Sequence, residues 1–228
     1  MSEPLSLKSV KNADLFDCNV SYIKPLVDST VYPWEILPLI KDYIGKLLAE
    51  GIPGFTEYAP GVLVGENVTI HPSACISGTA IIGDGTDIGP GAFIRGNAII
   101  GPHCHVGNST ELKNCILMYH AQVPHYNYVG DSILGNYAHM GAGAVCSNLK
   151  SDGKNVIIHG DIDYVTNLRK IGGILGDRAE IGCHCVLNPG TVIGKNTSVY
   201  PLTSVRGVIP SGCIVKSMDD IVVRVNND

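Results

Sequence analysis

Residues 82–101 read Ile82-Gly83-Asp84-Gly85-Thr86-Asp87-Ile88-Gly89-Pro90-Gly91-Ala92-Phe93-Ile94-Arg95-Gly96-Asn97-Ala98-Ile99-Ile100-Gly101. An apolar residue returns at every sixth position, at Ile82, Ile88, Ile94 and Ile100, often followed by glycine, with a small residue four places on. The same beat runs back through Ile76 and Ile70 to Val64 and forward through Val106 and Leu112 to Met118. It returns at Leu175, Ile181, Leu187, Ile193, Val199 and Val205. A period of six fits neither a helix nor a simple alternating strand. Each hexad reads as a short strand and a turn, three hexads closing one triangular coil with the apolar residues stacked inside. The expected fold is mainly β, a left-handed parallel β-helix of hexapeptide repeats over residues 61–216. A helical and irregular N-terminal segment, 1–60, precedes it, and a short extended tail, 217–228, follows.

Two interruptions break the count. After Met118 the next step is ten residues, to Tyr128, and the phase resumes through Leu134, Met140 and Cys146. A second break, rich in Lys, Asp, Gly and Asn, separates Cys146 from Leu175. These predict loop insertions near 119–127 and 147–174, and loops expelled from a solenoid commonly carry function. Upstream, Pro33-Trp34-Glu35 opens a helix over 34–50 that ends at Gly51. Its apolar face is Ile36, Leu37, Ile40, Tyr43, Ile44, Leu47 and Leu48.

The formal net charge of -5 and scattered basic residues argue against nucleic-acid or membrane-surface binding. No apolar run approaches the roughly 18 residues that would span a bilayer. Met1-Ser2-Glu3-Pro4 lacks the features of a signal peptide. The 8 cysteines contain no C-x-x-C pair, and several replace Ala or Thr in the repeat. They read as buried reduced thiols, which fits a cytoplasmic location.

Arg95 and Lys113 occupy turn positions that elsewhere hold glycine, one full coil apart. They are expected on one edge about 5 Å from each other, where two like charges repel by roughly 1 kcal/mol in water. Either both fan into solvent or an anion such as a phosphate or carboxylate offsets them. Glu111, two residues away, is a further binding candidate or an ordinary ion-pair partner. His125 falls in the first interruption, and a histidine beside two cations stays neutral and can serve as a general base.

The run Glu111-Leu112-Lys113-Asn114, then Val123-Pro124-His125-Tyr126-Asn127-Tyr128-Val129-Gly130-Asp131, then Gly141-Ala142-Gly143 and Asn148 carry a resemblance. Over roughly 82–205 the chain resembles the acetyltransferase domain of the bifunctional glucosamine-1-phosphate acetyltransferase/N-acetylglucosamine-1-phosphate uridyltransferases. The resemblance implies that His125 is the general base freeing a sugar amine to attack an acetyl thioester. It implies that Arg95, Lys113, Tyr128 and Lys170, with Glu111 and His139, hold an amino-sugar 1-phosphate. Ala142, Asn148 and Cys183 would meet acetyl-CoA, the co-substrate, and the protein would be a homotrimer with each site between neighbouring β-helices.

Departures accompany the likeness. His139 stands where the family places a substrate-contacting Asn, the segment between Asn148 and Lys170 is long, and an arginine for the nucleotide end of CoA has no clear counterpart. No nucleotidyltransferase half is expected, since no G-x-G-T-R-M-like loop is present. The expected activity is acetyl-CoA-dependent N-acetylation of an amino-sugar 1-phosphate, chiefly glucosamine 1-phosphate, in nucleotide-sugar precursor synthesis. One rival is a non-catalytic paralogue that binds a sugar phosphate or nucleotide sugar. Another is a zinc enzyme like the γ-class carbonic anhydrases, suggested by His120 and His125. Zinc needs a third histidine there, and Asp84 and Gly89 stand in the upstream region where it is expected. No bound metal is therefore expected.

Overall fold

Strand pairing turns the hexads into stacked rungs, in the computed structural model that describes residues 9–224. A first face consists of Val62–Val64, 80–82, 98–100, 115–117, 132–134, Gly173–Leu175, Thr191–Ile193 and Val208–Ile209, all parallel. The second runs from Thr69–Ile70 and Asp87–Ile88 through His105–Asn108, Gln122–His125, His139–Met140, Glu180–Ile181 and Ser198–Val199 to Cys213–Ser217. The third is built from 75–76, 93–94, 111–112, 128–129, Val145–Cys146, Val186–Leu187 and Ser204–Val205. Strands Cys75–Ile82, Phe93–Ile100, Glu111–Leu117 and Tyr128–Leu134 bend round the corner joining the third face to the first. The result is the expected left-handed β-helix. Ile82, Ile88, Ile100, Val106 and Leu112, each 0% exposed, fill its interior as the period predicts.

The first predicted insertion is not one. Ile100 pairs with Leu117 and Leu117 with Leu134, so these coils are seventeen residues long where Ile82 to Ile100 takes eighteen. One residue is lost at the corner after Lys113, where the register shifts between Arg95 and Ala98. The phase slides by one: Leu117 takes the interior place expected of Met118, and Val129 that expected of Tyr128. Residues 119–127 then form a turn, the regular strand Gln122–His125 and the next corner. Coil contact here is close. A Cβ on Gly107 would lie 1.8 Å from the Pro124 carbonyl oxygen, so only glycine lets the rungs meet.

The second insertion is real. Leu134 pairs with Leu175 across a forty-one-residue step. The inserted chain forms an antiparallel hairpin, Ile157–His159 with Asp163–Val165, and its ends meet where Leu149 bridges Lys170.

Every third hexad carries a doublet whose first member faces outward: Ile81, Ile99, Ile116, Ile133, Ile174 and Val192, each 0% exposed. The N-terminal segment covers this apolar stripe. Its helices are α1 (Asn12–Leu15), α2 (Lys24–Asp28), α3 (Pro33–Ile36) and α4 (Ile40–Glu50). The single helix expected over 34–50 is divided, because Pro38 falls in a 3-10 turn, Leu37–Leu39, between α3 and α4. Gly51 ends α4 at φ 76°. Ile36, Ile40, Ile44 and Leu47 pack on the stripe together with Val156, Ile158 and Ile171 of the insertion. Trp34 stacks on Tyr32 at 4.7 Å between ring centroids, and Tyr164 of the hairpin meets both rings.

The C-terminal stretch is a hairpin rather than an extended tail. Asp220–Val223 folds back antiparallel on Cys213–Ser217, as Thr56–Ala59 does on Val62–Val64 at the other end. Both hairpins cover solenoid ends that would otherwise present open strand edges. Positions 1–8 and 225–228, including the Met1–Pro4 motif, lie outside the described residues. Cys18, Cys104, Cys115, Cys146, Cys185 and Cys213 are buried thiols as expected, whereas Cys75 and Cys183 are exposed. Among the described residues no helix is long and apolar enough to cross a membrane.

If the N-terminal segment and β-helix share one core, Ile44→Ala and Ile99→Ala should each destabilise the whole chain by about 2–5 kcal/mol. Both should shift the same cooperative transition in urea, read by circular dichroism and by Trp34 fluorescence.

Candidate active site

The corner between the third and first faces needs one residue with positive φ per coil. Gly78, Gly96, Gly190 and Gly207 supply it in four coils, but in the shortened ones Asn114 and Asp131 do, each at φ 48°. Non-glycine residues hold this conformation at a cost and cluster at functional sites. Here both are engaged. Asp131, only 6% exposed, accepts hydrogen bonds from Lys113 Nζ at 3.0 and 3.2 Å, Asn114 Nδ2 at 3.0 Å and Asn148 Nδ2 at 2.6 Å. The Asn148 amide also donates to the Tyr128 hydroxyl at 3.2 Å, and the Asn114 amide to the Leu37 carbonyl at 3.3 Å.

Arg95 and Lys113 are paired in adjacent rungs, as the coil length predicts. Their repulsion, however, is offset within the chain: Arg95 Nε meets Glu111 Oε1 and Lys113 meets Asp131. Glu111 is therefore an ion-pair partner here. Its hydrogen bond holds the Arg95 pKa above the ordinary guanidinium value. Burial raises the Tyr128 phenol, and the charges of Glu111 and Asp131 push it the same way. Tyr128 thus remains a neutral hydroxyl on the third face. The motif reading placed Asp131 in the family signature but gave it no role. Its signal was a non-glycine residue at the corner where the count shortens.

His125 sits at the other edge of the third face, on the corner leading in from the second. Asn108, His125, Ala142 and Cys183 take equivalent places in successive coils there, joined by Gly143 N–H to His125 O at 3.0 Å and His184 N–H to Ala142 O at 2.8 Å. The predicted base and two predicted acetyl-CoA contacts therefore share one ridge. The backbone of His125 is fixed. Its N–H donates to Asn127 Oδ1 at 3.0 Å, and the buried Asn127 amide donates onward to the Gly141 and Ala144 carbonyls. The imidazole is exposed and, among the described residues, hydrogen-bonds to no side chain. The chain turns at Tyr126, φ 46°, and then runs along the third face through Tyr128 to Gly130.

Other predicted residues fall elsewhere. Asn148, matched to acetyl-CoA, lies at the cationic corner with Tyr128 and Asp131. His139 is on the second face, where its ring pairs with Glu180, and meets neither Arg95 nor Lys113. His120 and His125 bracket the strand Gln122–His125 from opposite corners and do not converge. Among the described residues no three His, Cys, Asp or Glu side chains are grouped to hold a metal ion. Lys170 is exposed and lines a cleft of about 250 Å³ with Asn114, Asp131, Leu37, Pro38, Leu168 and Arg169. A larger cavity, about 480 Å³, opens at the remaining corner between Asp17, Val20, Tyr119, Tyr137 and Lys195, and holds none of the predicted residues. There Arg178 lies 4.4 Å over the Tyr137 ring, and burial raises the pKa of Asp177.

The left-handed β-helix thus carries an exposed corner histidine at one edge of its third face and a polar corner at the other. Residues 76–168 match the family model described as the GMPPB C-terminal domain. The bifunctional protein GlmU of Methanococcus maripaludis is 32% identical over 195 residues, 84% of this chain and 47% of that protein. The uncharacterized acetyltransferase YaiX of Escherichia coli O6:K15:H31 is 32% identical over 213 residues, 87% of this chain and 92% of that one. Among solved structures, PerB of Caulobacter crescentus in complex with CoA and GDP-perosamine superposes with a TM-score of 0.43 at 19% identity, covering 69% and 57% of the two chains. The chain belongs to the same family as the acetyltransferase YaiX, which it matches over nearly its whole length. It spans about half the length of the GlmU relatives it matches.

Asp131 should prove structurally dominant at its corner. Asp131→Asn leaves Lys113 without its anion and should cost about 2–4 kcal/mol in denaturant unfolding. Adding Lys113→Met should recover at least about 1 kcal/mol, read as a double-mutant coupling.

Proposed function

We propose that the chain transfers the acetyl group of acetyl-CoA to the amine of an amino-sugar phosphate, with glucosamine 1-phosphate the reference acceptor. One observation carries this reading: a rigidly held, solvent-facing His125 and a corner of cations frame the same face, with Tyr128 between them. An acceptor lying across that face would present its amine at one edge and its phosphate at the other.

The amine is an ammonium at neutral pH and has no lone pair to offer until a base removes a proton. His125 takes that proton. The nitrogen then attacks the thioester carbonyl, forming a C–N bond and a tetrahedral intermediate. Collapse breaks the C–S bond, and the departing thiolate receives a proton from the imidazolium. The balance is acetyl-CoA and an ammonium going to an amide, CoA thiol and one released proton. Arg95 and Lys113, already aligned by Glu111 and Asp131, keep donors for phosphate oxygens, and Tyr128 adds a neutral one. Ala142 and Cys183 continue the His125 ridge toward the C-terminal coils, a track for the extended pantetheine arm.

We also propose a homotrimer in the cytoplasm, with neighbouring β-helices closing over the site. The outer side of the third face supports this reading. Phe93 and Val186 are 36% and 37% exposed there, an apolar surface flanking the polar residues.

Acetyl-CoA and a panel of amino-sugar phosphates, followed by CoA release, test the reading. His125→Ala should lower kcat by about 10²–10⁴-fold without shifting the melting temperature, because the ring makes no side-chain hydrogen bond. Arg95→Ala should chiefly raise KM. An inactive wild type across the panel, or a fully active His125→Ala, contradicts it.

A further inference from the structure

The cavity of about 480 Å³ beside Tyr119 and Tyr137 lies at the corner between the first and second faces, across the β-helix from the third. Pockets of roughly 300–1,000 Å³ enclose small ligands, and this one falls within that range. One wall is the N-terminal segment around Asp17, and the other is the corner itself. Asp177, only 6% exposed, pins the two walls at their base. Its carboxylate accepts from the Asp17 and Asn136 N–H groups, each at 2.7 Å, and its own N–H donates to the Leu15 carbonyl at 3.0 Å. The Asn136 amide donates to the Asp17 carbonyl at 3.1 Å. The walls are thus fixed relative to each other.

Glycine fills the left-handed position of this corner at Gly85 and Gly212. Beside the cavity its place is taken by Tyr137, Arg178 and Asn196, at φ 57°, 58° and 55°. Three successive coils therefore carry backbone strain to set large polar side chains at one place, and such strain clusters at functional sites. Tyr119 and Tyr137 meet edge to face with centroids 5.4 Å apart, and Tyr137 is 40% exposed. Among the described residues, neither of their hydroxyls nor the Asn196 amide has a hydrogen-bond partner. Charge, in contrast, is balanced. Lys195 lies 2.8 Å from Asp17 and 3.8 Å from Asp177, and Arg178 sits 4.4 Å over the Tyr137 ring. A phosphate here would meet two carboxylates, and an ammonium two cations. A hydrocarbon would leave the amides and hydroxyls unpaired.

We infer that this cavity binds an uncharged sugar in its pyranose form. A pyranose has a face of C–H groups that covers a tyrosine ring and a rim of hydroxyls that each donate and accept. Asp17 supplies an acceptor, Arg178 and Asn196 supply donors, and the tyrosine hydroxyls act either way. The corner is the one that the third face does not touch, so a sugar held there is not the acetyl acceptor. The inference stands independently of the acyl-transfer reading.

Saturation-transfer NMR and calorimetry of the full chain, with the methyl glycosides of glucose, galactose, mannose and N-acetylglucosamine, test the assignment. At least one should bind saturably with a Kd of about 1 mM or tighter, and inorganic phosphate should not displace it. Tyr137→Ala should weaken it about tenfold. Asn196→Gly, which keeps the left-handed corner that Gly212 has, should weaken it similarly with the melting temperature preserved. His125→Ala and saturating CoA should leave the affinity unchanged. The assignment is overturned if none of the four glycosides binds, if phosphate displaces the bound one, or if both corner variants bind like wild type. It is also overturned if CoA or His125→Ala weakens binding, which would put the sugar on the third face.

Discussion

Each coil must return to about 4.8 Å above its starting point with its inward side chains in line, and this stacking constraint governs the rest of the molecule. It explains why an apolar residue recurs at every sixth position and why corners demand glycine or another residue that tolerates positive φ. It also explains why Gly107 cannot carry a side chain against Pro124. Because rungs are locked in register, a residue at a given point of one coil lies over its equivalent in the next. Stacking thus converts sequence separation into spatial columns. The cation pair Arg95 and Lys113 and the ridge of His125, Ala142 and Cys183 are both products of that conversion.

The shortened corner shows how the same constraint creates chemistry. Removing one residue after Lys113 leaves no place for the glycine that other coils use, and Asn114 and Asp131 take the left-handed position instead. That places a nearly buried carboxylate beside a lysine and two side-chain amides. Asp131 and Glu111 compensate the two cations within the chain and hold them in place at the corner. Arg169 and Lys170 are brought to the same corner by the end of the insertion.

Much of this was legible in the sequence. The interior of the β-helix followed directly from the hexads, and the alignment of Arg95 over Lys113 from the coil length. The outward members of the doublets Ile81-Ile82 and Ile99-Ile100 were not singled out by the six-residue count, and their cover is the N-terminal segment. Contacts across such sequence distances leave no local period to read. The step from Met118 to Tyr128 looked like an expelled loop because a one-residue deletion and an insertion perturb a count alike. Pairing of Leu117 with Leu134 separates them. The role of Asp131 was hidden for a similar reason, since its four hydrogen bonds come from the coils on either side of its own.

The central claim is that His125 and the cationic corner, on opposite edges of the third face, serve one acceptor. A crystal structure of the protein with CoA and a non-reactive amino-sugar acceptor analogue tests it most directly. The account predicts the acceptor across Tyr128, its amine position within hydrogen-bond reach of a His125 ring and its phosphate at Arg95 and Lys113. An acceptor bound instead in the cavity beside Tyr119 and Tyr137, with both edges of the third face empty, would contradict it.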